Sequence, residues 1–132
     1  MIADSSFLIA LFLEEDENHD IALKEFDENK GIITILDRVL EEIFTVFTYK
    51  KGIAFSIEAV EKILINKRFL IYYFDSGEHK AIFRLIKKVN CRISFIDYCV
   101  AYLAIIKNKS LLCYDAEINN IAKKYKQVIL KL

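Results

Sequence analysis

The sequence predicts an α/β domain built on a parallel sheet, and two observations predict it. Short β-prone runs alternate with amphipathic stretches along the whole chain, the pattern of strands joined by helical crossovers. Of the 132 residues 55% are hydrophobic, three are glycine and none is proline, so the chain is rich in core formers and offers no linker. A single domain over residues 1–132 follows, since domains commonly span ~100–150 residues.

The elements are expected in this order. A strand over 1–3 leads to a helix over 7–13 that Ser5 or Ser6 can cap. Residues 18–28 place Ile21, Ala22 and Phe26 at helical spacing, and Gly31 ends that stretch before a strand over 32–35. Asp37 opens a helix to about Tyr49, with Val39, Leu40, Ile43, Val46 and Phe47 on one face; Gly52 closes it after Lys50 and Lys51. Ser56 is placed to cap a helix over 57–65. A third strand covers 69–74, followed by a helix over 76–89, a turn over 90–94 and an apolar, central helix over 95–106. Residues 110–114 form a strand ending at Asp115, 116–125 a helix, and 128–130 a last strand.

Composition narrows the function classes. Apolar runs such as residues 7–13 fall far short of the ~20 residues that a membrane-spanning helix needs. The start carries no basic region and Asp4 interrupts its apolar stretch, which argues against a secretory leader. Cys91, Cys99 and Cys113 are odd in number and lack close pairing, so they read as reduced thiols of a cytoplasmic protein. His19 and His79 are too far apart in sequence for a helical metal pair. The net charge of zero conceals a division: residues 1–66 hold 6 Lys/Arg against 14 Asp/Glu, and residues 67–132 hold 13 against 5. Such asymmetry suits a polyanion-binding face opposite an acidic one.

Four carboxylates stand apart from the rest because apolar residues flank them: Asp4 after the first strand, Glu42 in VLEEIFTVF, Asp97 in ISFIDYCVAYLA and Asp115 after LLCY. Asp4 and Asp115 stand at the carboxyl ends of expected strands, the edge where open parallel sheets bind ligands. Taken singly, each has a local explanation as a helix cap, a first-turn acid or the edge of an amphipathic face. Taken together they need a counter-charge, because four carboxylates around one point cannot all stay ionised unaided. Mg²⁺ or Mn²⁺ supplies that charge through oxygen ligands and suits phosphodiester hydrolysis.

Four blocks of the sequence resemble, in order and spacing, those of the PIN-domain ribonucleases, and within them the VapC-type toxins of toxin–antitoxin pairs. IADSSFLIAL is similar to the family's opening strand–Asp–Ser motif, and VLEEIFTVFTYKKG to its Glu-bearing helix with a glycine soon after. SFIDYCVAYLA resembles its Ser-Phe-x-Asp helix start, and LLCYDAEI its strand followed by Thr-x-Asp-x-Asp-Phe. The resemblance implies a three-layer α/β/α fold and a Mg²⁺- or Mn²⁺-dependent ribonuclease acting on single-stranded or looped RNA. It implies that Asp4, Glu42, Asp97 and Asp115 are catalytic, with Asp4, Asp97 and Asp115 as metal ligands and Glu42 orienting metal or water. Ser6 and Glu117 match supporting positions, and Glu41 is an alternative to Glu42. A homodimer and a cognate antitoxin whose tail enters the acidic cleft are implied as partners. Cys113 departs from the usual Thr or Ser and removes a hydroxyl beside the site. Ile118 replaces a Phe, and Tyr98 stands where a small residue is usual and is expected to narrow the pocket. Lys50, Lys51 and Arg84, with Lys67, Arg68, Lys87 and Lys88, are candidates for phosphate contacts.

Two other classes remain from sequence. One is a PIN module that serves as a scaffold without catalysis. The other is aspartyl-phosphate chemistry, as in receiver domains or haloacid-dehalogenase-like phosphatases, although Ser5 and Ser6 stand where those enzymes carry further acids.

Overall fold

A computed structural model describes residues 1–127. Its elements are β1 (Ile2–Ala3), α1 (Ser5–Phe12), α2 (His19–Glu28), β2 (Ile33–Leu36), α3 (Asp37–Lys51), α4 (Ile53–Ile65), β3 (Phe69–Tyr72), α5 (Ser76–Val89), α6 (Phe95–Ile106), β4 (Leu111–Leu112) and α7 (Ala116–Lys124). The four strands form one parallel sheet in the order β3-β2-β1-β4.

That order places helices on both faces. Moving from β1 to β2 to β3, the right-handed rule for crossovers puts α1–α4 on one side; returning from β3 past β1 to β4 puts α5 and α6 on the other. Contacts follow suit, with α1 against α2 and α3, α3 against α4, and α6 against α5 and α7. The result is the three-layer α/β/α sandwich. Its sheet is apolar because both faces are covered: Ile2, Ala3, Ile33, Ile35 and Leu36 are buried. Beneath α3, the fully buried Phe47 meets Phe12 and Phe55 edge-on at 6.0 and 5.4 Å between ring centroids.

The direction of progression reverses between β1 and β4. Their carboxyl ends therefore diverge into neighbouring loops, and the crevice left there is where such sheets bind ligands. Asp4 directly follows β1, and Asp115 stands three residues after β4.

Several boundaries differ from expectation. The first helix is capped by Asp4, whose side chain accepts from the Ser6 N–H; both serines lie inside the helix. Gly52 at φ +92° ends α3 and immediately starts α4, so Ser56 lies within α4 and caps nothing. Its hydroxyl instead lies 2.7 Å from Thr48 Oγ1 and bonds the Gly52 carbonyl, tying the two helices together. Helix α3 runs two residues past Tyr49, while β3 and β4 are shorter than predicted, because ladder pairing ends before the apolar runs do. The strand expected over 128–130 lies outside the described residues.

Candidate metal centre

Asp4 is the most enclosed acid, at 2% exposure. Its Oδ2 accepts from the Ser6 backbone N–H (3.2 Å), the Ser6 hydroxyl (2.9 Å) and the Cys113 thiol (3.5 Å). Ser6 Oγ lies 3.8 Å from Cys113 Sγ; with one hydroxyl proton to give, the shorter contact assigns it to the carboxylate. Ser6 Oγ also accepts from the Tyr114 N–H at 2.9 Å, so one serine joins the start of α1 to the loop after β4. Cys113 Sγ accepts from the Asp115 N–H at 3.3 Å. The sulfur thus donates to Asp4 and accepts from the Asp115 backbone, two roles that a hydroxyl could also fill. Burial pushes the Cys113 thiol up to about 12, and the Asp4 charge adds to it.

Glu42 reaches the same region from the middle of α3. Burial holds its carboxyl above the usual range, the charges of Asp4 and Asp97 reinforce the effect, and the Ser5 hydroxyl opposes it. Asp97 is the third residue of α6 and completes a capping box with Ser94: its N–H donates to Ser94 Oγ (3.1 Å), and the Ser94 N–H donates to its Oδ2 (3.3 Å). Its carboxyl is also raised, chiefly by burial and further by Asp4 and Asp115, against the Ser94 hydrogen bonds. Asp115 caps α7, accepting from the Glu117 and Ile118 N–H groups at 2.9 and 3.2 Å.

The fold therefore gathers Asp4, Glu42, Asp97 and Asp115 at one edge, linked by the charges they exert on one another. Each single residue retains its local explanation, since three of them do serve helix starts. Caps do not explain two oxygens: Asp4 Oδ1 and Glu42 Oε2 are buried and have no hydrogen-bond partner. Native structures rarely leave such atoms unsatisfied, and a cation among carboxylates satisfies them. The donor set is all oxygen, which fits a hard divalent ion. Among the described residues, no group of three or more His, Cys, Asp or Glu side chains is placed to hold a metal ion as it stands.

The remaining predicted residues fall elsewhere. Glu41 is exposed on α3 and is absent from the charges acting on Asp97; Glu117 is exposed beside Asp115. Lys50 and Lys51 close α3, about 12 Å along its axis from Glu42 at ~1.5 Å per residue, and Lys51 pairs with Glu15 at 2.8 Å. Arg84 is exposed on α5. Arg68 is committed to structure: it donates to the carbonyls of Phe26, Asn29 and Gly31 and lies 4.2 Å over the Phe26 ring. Tyr98 does not narrow the site. It is buried, and its hydroxyl exchanges hydrogen bonds with the Cys91 backbone (2.9 and 2.6 Å). A cluster of Arg38 on α3, His79 and Phe83 on α5 and Phe95 on α6 went unread in the sequence. Its members lie 57 positions apart at the extremes, and the only local signal is the i, i+4 spacing of Arg38 and Glu42 on α3.

A parallel sheet with a switch point between β1 and β4 defines a three-layer α/β/α domain whose acids stand at the edge where open sheets of this kind bind ligands. The chain belongs to the PIN domain family, whose model matches residues 1–124. Among solved structures it is similar to VapC20 of Mycobacterium tuberculosis, a sarcin–ricin-loop-cleaving toxin. The TM-score is 0.78 at 18% identity, over 89% of this chain and 92% of that one. No curated relative matches the chain.

Proposed function

We propose that this chain is a metal-dependent endoribonuclease and the toxin of a toxin–antitoxin pair, working in the cytoplasm as a homodimer. The observation that carries the reading is the pair of unpartnered buried oxygens, Asp4 Oδ1 and Glu42 Oε2, inside a cluster of mutually repelling acids. Membership of the PIN domain family and the likeness to a toxin that cleaves RNA support it.

Asp4, Asp97 and Asp115 would hold Mg²⁺ or Mn²⁺, which when bound neutralises the acids and the incoming phosphate and activates water. The chain's own residues do the rest. Ser6 and Cys113 fix Asp4 through Oδ2 and leave Oδ1 buried without a partner. The Ser94 capping box fixes Asp97 on the first turn of α6. Glu42, whose carboxyl is held above its usual range, orients the attacking water. The acids that would repel bare RNA make binding dependent on the cation, and the same acidic cleft suits a basic antitoxin tail.

The test is cleavage of RNA by purified protein with Mn²⁺ or Mg²⁺, alongside Asp4→Asn and Asp97→Asn. Cleavage by the wild type and its loss in both variants is expected. Equal degradation by all three, or no cleavage of any RNA offered, overturns the reading.

A further inference from the structure

We propose that Arg38, His79, Phe83 and Phe95 form a nucleotide-seating platform that holds single-stranded RNA against the acidic edge, an inference that rests on the nuclease reading above. Arg38 lies one turn before Glu42 on α3, so the two share a helix face. Phe95 opens α6, in the same first turn as Asp97 but on a different side of the helix. The platform therefore adjoins the acid cluster along α3, through the face that Arg38 shares with Glu42.

Its construction differs from that of an ordinary charged surface. Arg38 is exposed and makes no ion pair among the described residues, although carboxylates stand nearby. Its guanidinium instead lies 5.6 Å over the Phe95 ring, and Nη2 is 3.3 Å from His79 Nε2. Arginine only donates, so His79 accepts at Nε2. One donor of five is thereby used, and the fork is held in place with the others free for a phosphate. The His79 ring stacks on Phe95 at 6.3 Å and 21°. Phe83 adjoins Phe95 at 5.5 Å and keeps 55% of its surface exposed.

A fixed guanidinium beside exposed aromatic faces is the combination that binds single strands: phosphate contact by the cation, and stacking that every base can use. Phe83 offers the free ring face and Arg38 the phosphate clamp. His79 and Phe95 hold Arg38 in position. The cleavable phosphate is then delivered next to Glu42 and Asp97.

The experiment measures binding of a fluorescein-labelled, unstructured oligoribonucleotide by anisotropy with Mg²⁺, on the Glu42→Gln background, which keeps the three proposed metal ligands and removes the group that orients water. Arg38→Gln and Phe83→Ala are each expected to weaken binding about tenfold, within the range of single stacking and phosphate contacts. Arg38→Gln should also reduce the slope of affinity against salt by about one, whereas Phe83→Ala leaves the slope unchanged. Arg38→Lys, which keeps the charge but loses the fork, should fall between. In the chain with Glu42 intact, both variants should raise KM by about the same tenfold factor and leave kcat unchanged, as loss of uniform binding requires. Both side chains are exposed, so thermal melts should match the wild type and exclude misfolding. Wild-type cleavage together with wild-type affinity in both variants overturns the platform and leaves the nuclease reading intact. If the variants change sedimentation mass and not RNA affinity, the patch is a contact between copies of the chain and the proposal fails. If the wild type neither binds nor cleaves RNA, both readings fall.

Discussion

Ser6→Ala is predicted to destabilise the protein by about 2 kcal/mol and to unfix Asp4. The serine hydroxyl donates to Asp4 Oδ2 and accepts from the Tyr114 N–H, both at 2.9 Å. Alanine removes a hydrogen bond to a charged acceptor, worth about 1.5–3 kcal/mol, and strands a backbone N–H, which costs about 1–3 kcal/mol. One hydroxyl makes both contacts and the two losses overlap, so the lower end applies, about 2 kcal/mol. With ~2.1 cal/mol/K of unfolding entropy per residue over 132 residues, that loss lowers Tm by roughly 7 °C. Circular dichroism melts in EDTA at neutral pH measure it. Ser6→Thr keeps the hydroxyl and should recover most of the loss. A Ser6→Ala melt within about 2 °C of wild type, set against that roughly 7 °C expectation, or a Ser6→Thr melt just as low, would refute the bridging role.

The other predictions are shorter. Glu42→Gln should raise Tm in metal-free buffer at neutral pH. The carboxyl's folded pKa is raised, so ionisation costs stability once pH rises above the ordinary carboxylate range of ~4.3. The gain should vanish at acid pH, where Glu42 is protonated in both states, and Mn²⁺ should reverse it by stabilising the wild type more; melts across pH with and without metal check this. Thiol labelling at neutral pH should modify exposed Cys91 first. Cys99 and Cys113, both pushed up to about 12 by burial, should react only after unfolding, as mass spectrometry of the labelled protein would show.

Parts of the fold were legible because local chemistry governs them. The apolar face of α3, the span of α6 and the end of α3 at Gly52 follow from periodicity and from a positive φ that favours glycine. Serine signals misled twice for one reason: a capping hydroxyl and a hydroxyl bridging two elements look alike in sequence. Ser6 holds Asp4 and Tyr114, and Ser56 holds α3 to α4. Basic residues misled for a similar reason. Arg68 bonds backbone carbonyls and Lys51 pairs with Glu15, contacts set by partners dozens of positions away.

By itself the sequence determined which acids are set in apolar surroundings and on which kind of element each stands, because strand runs and helix starts are short-range patterns. Only the tertiary structure decided that these acids share one edge. The reversal of strand order at β1 brings residue 4 beside residue 115, and the packed helices bring 42 and 97 toward them. It also set the two neighbouring glutamates apart, Glu41 exposed and Glu42 left with a buried oxygen unsatisfied. The same packing set Arg38 on Phe95 and His79, a juxtaposition that no local pattern encodes because it depends on how three elements meet.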